Sequence, residues 1–293
     1  MNREDFVKEL KNSNKFGEIE SIFDRFVEFQ DAAIDAFRFF HGVCKKYNIK
    51  YQVAFGSLLG AIRDNGQIPW DYDIDVIINY DDARKIEEAI LLESKGKYYC
   101  ISPFINSKYY LFMLRLSPAN YHSECAHVDV FYSIGASDNK NERIKQNKYI
   151  TYFFTNRHRK LMKISDLYPP LSLKTLIWFI GSKFKRFLIS NKKEMMMIDS
   201  LSKQYPIASS DYCFIIYEGG YGGCLFKKSW LEETICINTS IGEQCVPKDY
   251  DEVLTRLYKN YKEYPDLDKR IEEILHYYRI LEKFQSRFER RKK

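Results

Sequence analysis

The spacing of apolar residues divides the chain into helical and strand-like stretches. Over residues 18–47, Ile19, Ile22, Phe23, Phe26, Val27, Ala33, Phe37 and Phe40 recur at helical intervals, predicting one long helix with a buried stripe. Asn48 breaks the pattern, and residues 49–55 alternate as a strand would. Gly56-Ser57 turns the chain, with Ser57 as N-cap of a short helix over residues 58–63. Asp64-Asn65-Gly66 closes that helix, and Pro69 stiffens the approach to a strand over residues 70–78. Residues 82–93 form an amphipathic pattern. Strand-like runs follow at 98–102, 109–116 and 126–134, and residues 142–154 read as a further hairpin or strand.

The character changes after residue 167. Pro169-Pro170 marks a boundary, and Leu173, Leu176, Ile177, Ile180, Phe184, Phe187 and Leu188 then repeat at three and four among Lys174, Lys183, Lys185 and Arg186. Such a basic amphipathic helix either packs its stripe on a core or lies on an anionic membrane face. Gly219-Gly220-Tyr221-Gly222-Gly223 reads as a loop without the strand and helix context of a dinucleotide fingerprint. Residues 249–261 and 267–288 look helical, and Arg290-Arg291-Lys292-Lys293 reads as a solvated basic tail. Strands joined by short loops, mixed with helices, predict an α+β (mixed α/β) fold and not a regular parallel wound sheet. The expected division is a helical segment (1–46) packed on a catalytic core (47–165), with a mainly helical region (166–293) completing the cleft.

Composition narrows the class. Of 293 residues, 45% are apolar, enough for a sizeable core and against global disorder. The net charge of +6 is mild, so an anionic substrate or membrane surface is permitted, and no nucleic-acid partner is expected. Seven cysteines without a CxxC pair show no zinc spacing and read as reduced, mostly buried thiols. The first residues, MNREDFVKEL, lack the apolar stretch of a signal peptide, and no apolar run approaches the ~18 residues of a membrane span. These features point to a cytoplasmic protein, with peripheral contact at the inner face of the plasma membrane left open by the basic helix. Oligomeric state is not legible.

The chemistry concentrates in residues 55–76, FGSLLGAIRDNGQIPWDYDIDV. Asp71, Asp73 and Asp75 stand at every second position, so a strand there would present them as one acidic row with a repeat of roughly 6.6 Å. Such a row repels itself unless a cation neutralises it, and Mg²⁺ binds through few carboxylates plus substrate phosphates. Gly56-Ser57 at a helix start suits a phosphate. A later strand carries Asp129 between apolar neighbours, Val128-Asp129-Val130-Phe131, and an unpaired buried carboxylate there would be costly. Metal-assisted phosphoryl transfer is the simplest reading. His122 and His127 stand close to Asp129, but two histidines without cysteine partners make a weak zinc case.

Gly-Ser, a spacer, Asp-Ile-Asp and then Val-Asp-Val resembles the nucleotidyltransferase superfamily related to polymerase β, although the spacer from Ser57 to Asp73 is longer than in its common members. More specifically, Gly56, Ser57, Leu58, Leu59, Gly60, Arg63, Pro69, Trp70, Asp71, Asp73 and Asp75 resemble the signature of the LicD family, with Tyr72 in place of a frequent Asp. HVDVF, Phe226-Lys227-Lys228-Ser229-Trp230 and Val246-Pro247-Lys248-Asp249-Tyr250 resemble its later elements, whereas the usual Tyr-Gly-Asp is replaced by Tyr258-Lys259-Asn260-Tyr261.

The resemblance implies a polymerase β-like core sheet flanked by helices. It implies transfer of a substituted phosphate, such as phosphocholine, phosphoethanolamine, ribitol phosphate or glycerol phosphate, from a CDP-linked alcohol to a glycan or lipid-linked glycan hydroxyl. Bacterial acceptors would be teichoic acid, lipopolysaccharide or capsule. Asp73, Asp75 and Asp129 are the expected ligands of Mg²⁺ or Mn²⁺, and Asp129 or Asp71 the base. Gly56 and Ser57 are expected at the donor phosphates. Arg63 either reaches a phosphate or pairs with Asp71; Arg115 either lines the cleft or lies at the surface; Lys248 meets donor or acceptor charge. Two other readings are an NTP-dependent nucleotidyltransferase, which would release pyrophosphate, and a non-catalytic nucleotide-binding or scaffold protein.

Overall fold

The computed structural model describes residues 1–13, 15–109, 111–161, 172–184, 190–216 and 224–292. The contacts divide it into two compact units. The first comprises Met1–Cys100, Arg115–Val130 and Trp230–Lys293; the second comprises Ile101–Leu114 and Phe131–Ser229. The expected boundary at 169–170, the expected loop at 219–223 and the end of the basic helix at 185–189 lie outside the described residues.

In the first unit, α1 (Arg3–Lys11) precedes the long helix α2 (Phe16–Tyr47). The buried face of α2 carries Ile19, Phe23, Phe26, Ala33, Phe37, Phe40 and Cys44, so the helical spacing reports the core directly. Asn48, in the left-handed region at φ 51°, ends the helix, as a short polar side chain permits. Next come β1 (Tyr51–Val53), α3 (Phe55–Arg63), β2 (Ile74–Asn79), α4 (Ala83–Glu93), β3 (Tyr98–Ile101), β4 (Leu114–Pro118) and β5 (Val128–Ala136). The strand order is β1-β2-β5-β4-β3. β1 runs antiparallel to β2 with Val53 opposite Val76.

In the second unit the end of β5 is followed by α5 (Lys140–Leu161), α6 (Leu173–Phe184), α7 (Asn191–Ser202), β6 (Tyr212–Ile216) and β7 (Cys224–Lys227). β6 pairs antiparallel with β5, from Tyr132–Ile216 to Ala136–Tyr212, and with β7. α5 packs on α6 and α7. On α6, Leu173, Ile177 and Ile180 are exposed while Phe179 is buried. The chain then supplies the first unit with a helical turn, α8 (Ser229–Glu232), a hairpin of β8 (Thr234–Thr239) and β9 (Gly242–Pro247), and helices α9 (Tyr250–Tyr258) and α10 (Leu267–Lys292).

Five expectations need correction. Residues 142–154 are helix, not hairpin. Asn139 Oδ1 accepts the N–H groups of Asn141 and Glu142 to start α5, and the buried Gln146, Ile150 and Phe153 share one helical face. The strand expected over 109–116 begins only at Leu114. The strand expected over 70–78 begins at Ile74, because Asp71 N–H donates to Ile68 O at 3.0 Å and folds the Pro69 segment into a turn. Asp71 and Asp73 therefore precede the strand. Ser57 is not an N-cap: α3 already starts at Phe55, capped by Ala54, and Ser57 is buried within it. Finally, the cysteines are not all thiols. Cys236 and Cys245 face each other across the β8–β9 hairpin and form a disulfide, while Cys44, Cys100, Cys125 and Cys213 are buried and free.

Candidate active site

The segment that carries the acids is fixed through its backbone. Gln30, fully buried on α2, donates its amide to Asp71 O at 2.6 Å and Pro69 O at 3.1 Å. Gln67 donates to Asp71 O and Asp73 O, both at 3.1 Å. Asp75 N–H donates to Ser57 Oγ at 2.8 Å, and Ala54 N–H donates to Asp75 O at 2.9 Å. The start of α3 is thus stitched to the start of β2. A Cβ built on Gly56 would sit 2.5 Å from Asp71 Oδ2, so only glycine lets that carboxylate rest against the helix start.

Asp129 enters from the neighbouring strand β5, two residues after His127. His127 Nε2 lies 3.6 Å from Asp73 Oδ2 and 3.6 Å from Asp129 Oδ2. One ligand atom from each of the three residues falls within 4.8 Å of the others. His127 is fully buried, and neither ring nitrogen has a hydrogen-bond partner. Asp129 is gripped by Arg115, Nε to Oδ1 at 2.6 Å and Nη2 to Oδ2 at 2.8 Å, and Arg115 Nη1 pairs with Glu124 Oε2 at 2.7 Å. Tyr72 packs edge-on against His127 and, with its ring tilted, against Tyr277 of α10.

The electrostatics follow from crowding. Burial, then the charges of Asp73, Asp129 and Asp71, hold the Asp75 carboxyl well above the usual carboxylate range. Burial and then Asp73 do the same to Asp71. Burial acts on Asp73 in that direction too, but the polar approach and charge of the His127 ring, with help from Asp71 and Arg115, outweigh it and hold Asp73 below the usual range. Asp73 thus stays ionised between two acids that resist ionisation. Crowded carboxyls that resist ionisation and a buried imidazole without a hydrogen-bond partner are what a divalent cation would resolve.

The other expected residues scatter. Arg63 pairs with Asp64 at 2.8 Å, not with Asp71, and its guanidinium stacks over Tyr264 at 4.4 Å. Lys248 is exposed on the β8–β9 side, 2.7 Å from Glu233, and its partner is not one of the clustered acids. Arg115 is neither at the surface nor free, being committed to Asp129 and Glu124. A cleft of about 410 Å³ borders Gly56 and Asp71, with Arg63, Trp70, Glu273 and Tyr277 among its walls. A larger recess of about 750 Å³ between Glu28, Asp35, Tyr98 and Tyr121 contains none of the clustered acids, so volume alone does not mark the chemistry. Gln30 and Tyr277 have no local sequence signal, since each meets the site from a helix far along the chain; Glu124 lies only five residues before Asp129 but shows its role only through its pairing with Arg115. For His127 the signal was its place two residues before Asp129.

Residues 48–175 match the family described as LicD/FKTN/FKRP, nucleotidyltransferase domain. The chain is 23% identical over 251 residues to the lipopolysaccharide cholinephosphotransferase LicD of Haemophilus influenzae, covering 81% of this chain and 91% of that protein. A 51-residue stretch is 41% identical to the ribitol 5-phosphate transferase FKRP of Homo sapiens, 17% of this chain and 10% of that protein. The stretch in mouse FKRP matches to the same degree. Residues 48–175 of this chain thus form a LicD family domain.

Proposed function

We propose that the protein is a metal-dependent phosphotransferase. It moves a substituted phosphate from a CDP-linked alcohol to a hydroxyl of a surface glycan or its lipid-linked precursor and releases CMP. The carrying observation is the cluster of Asp73, His127 and Asp129, with Asp75 close enough to feel the charges of Asp73 and Asp129, beside the Gly56 helix start where Asp71 rests. The named activities of the cholinephosphotransferase and ribitol 5-phosphate transferase relatives support the reaction class.

Asp73, Asp75 and Asp129 are the carboxylates to hold Mg²⁺ or Mn²⁺. When bound, such an ion stabilises charge on the transferring phosphoryl group and on the departing CMP. Arg115 keeps Asp129 aligned. The N–H groups at the start of α3, next to Gly56, favour phosphate oxygens. Asp71 borders the cleft, and in its ionised form it is the candidate to accept a proton from an incoming hydroxyl, its raised proton affinity making it the stronger base.

Among the described residues no helix is long and apolar enough to cross a membrane. The exposed Leu173, Ile177 and Ile180 of α6, with Lys174 beside them, support peripheral contact with an anionic membrane face where a lipid-linked acceptor would reside.

The test is CMP release from CDP-choline, CDP-ethanolamine, CDP-glycerol and CDP-ribitol by purified protein. Release from at least one donor, stopped by EDTA and by Asp73→Asn, is expected. Release of pyrophosphate from an NTP, with no CMP from any CDP-alcohol, would move the protein to the nucleotidyltransferases.

A further inference from the structure

His127 is buried completely, yet both of its ring nitrogens lack a hydrogen-bond partner. Its Nε2 stands 3.6 Å from one oxygen of Asp73 and 3.6 Å from one of Asp129. That distance is too long for an N–H···O bond and suits two ligands sharing one ion. The ring is also held in place: Tyr72 closes one side, and the backbone carbonyl of His127 accepts Ile74 N–H at 3.3 Å, locking β2 to the entry of β5. An imidazole so placed differs in kind from the all-oxygen shell that Mg²⁺ prefers. Nitrogen donors favour first-row transition ions, whereas Mg²⁺ is bound through oxygen and water.

From this geometry we infer that His127 is a nitrogen ligand to the metal held by Asp73 and Asp129, and that the site selects a transition ion of the Mn²⁺ class over Mg²⁺. The inference rests on the metal-dependent reading above. The competing role for His127 is a fixed imidazolium that neutralises the two carboxylates with no metal at all.

The experiment uses the full chain stripped of metal, with Mn²⁺ as the probe. Electron paramagnetic resonance of the free aqueous ion gives its affinity, Mg²⁺ competition gives the selectivity, and pulsed measurements report nitrogen coupling to bound Mn²⁺. A ¹⁴N imidazole coupling is expected, changing to the ¹⁵N pattern when the protein is grown on ¹⁵N-histidine. Mn²⁺ should bind at least about tenfold tighter than Mg²⁺. His127→Asn should abolish the coupling and weaken Mn²⁺ binding about 10–100-fold, while Mg²⁺ affinity moves by less than about threefold. Because the coupling is read on the unaltered chain, it decides the matter even if the variant does not fold. Bound Mn²⁺ without nitrogen coupling, or Mg²⁺ competing on equal terms, overturns the role of His127 and leaves the phosphotransferase reading standing. Failure to bind either ion, together with no CMP release from any CDP-alcohol, overturns both.

Discussion

Arg115 holds Asp129 in a two-pronged grip, with Nε on one carboxylate oxygen and Nη2 on the other, and both side chains are only 7% exposed. A planar guanidinium fork matches a carboxylate in two places at once, which a lysine ammonium does not. Removing the fork leaves a buried charge without its counterpart. Arg115→Ala should therefore cost about 3–5 kcal/mol of stability in urea unfolding. Arg115→Lys should recover part of that stability but little of the alignment, so CMP release stays well below the parent's. Full activity in Arg115→Lys would show that the alignment of Asp129 does not matter.

Gly60 gives a cleaner test of packing. A Cβ there would lie 2.6 Å from Gly66 O and 2.9 Å from Ile68 N, both backbone atoms that cannot swing aside. Gly60→Ala should destabilise by about 1–3 kcal/mol through overpacking. It should also lower activity, because the displaced loop leads directly into the Ile68–Asp71 turn. Gly42 is the control: it is exposed on α2, and a methyl group added there would meet nothing within 4 Å. Gly42→Ala should stabilise by about 0.5–1 kcal/mol through helix propensity alone. Equal effects at the two positions would refute the close approach.

Ser57 separates a structural from a phosphate-binding role. Its Oγ already accepts Asp75 N–H inside the protein. Ser57→Ala leaves that N–H without its partner and should cost about 1–3 kcal/mol. Because the same bond sets the start of β2, the variant should lose turnover along with stability. A variant with unchanged melting and a raised KM for the donor alone would instead place the hydroxyl on the donor phosphates.

What was readable in the sequence was whatever repeats locally. The stripe of α2 is written in Ile19, Phe23, Phe26 and Phe37 because one helix face buries them all. The acids at 71, 73, 75 and 129 were legible because their types and spacing are chemical, not conformational. What failed depends on partners far along the chain. Gln30 shapes the turn at Asp71 from 41 residues away, and that turn removes Asp71 and Asp73 from the strand they were expected to share with Asp75. Tyr149 to Phe153 looks like strand composition, yet α5 forms because Asn139 caps it and Gln146 bonds Gly135 O at 2.8 Å. Arg63 shows the same limit: its spacing from the helix start allowed a phosphate role, but its adjacent Asp64 and the carbonyls of Tyr261 and Glu263 occupy it.

Asp75 ties stability to pH in a way that a metal should reverse. Burial and the charges of Asp73, Asp129 and Asp71 raise its carboxyl above the usual range, and Asp71 is raised likewise. A carboxyl whose folded pKa exceeds its unfolded value of about 3.9 binds its proton more tightly when folded. Its contribution is complete below that unfolded value and is lost as pH rises through the folded one. Asp73 has the opposite sign, contributing above its unfolded value and losing that contribution only as pH falls through its depressed one. From about pH 4 upward, Asp71 and Asp75 therefore lose their contribution as pH rises in metal-free protein, while His41 and His122, held below the usual range by burial, gain theirs. The share of Asp75 is thus read as the difference in urea stability between the parent and Asp75→Asn. Asp75→Asn removes one of the two carboxyl contributions, so that difference should move in its favour as pH rises, leaving its metal-free form more stable than the parent at neutral pH. Added Mn²⁺ should restore the parent, since an ion that binds only the folded state stabilises it in proportion to its occupancy. The same addition should do less for Asp75→Asn. If the parent and the variant share one slope and respond equally to Mn²⁺, Asp75 does not belong to the charged cluster that the ion meets.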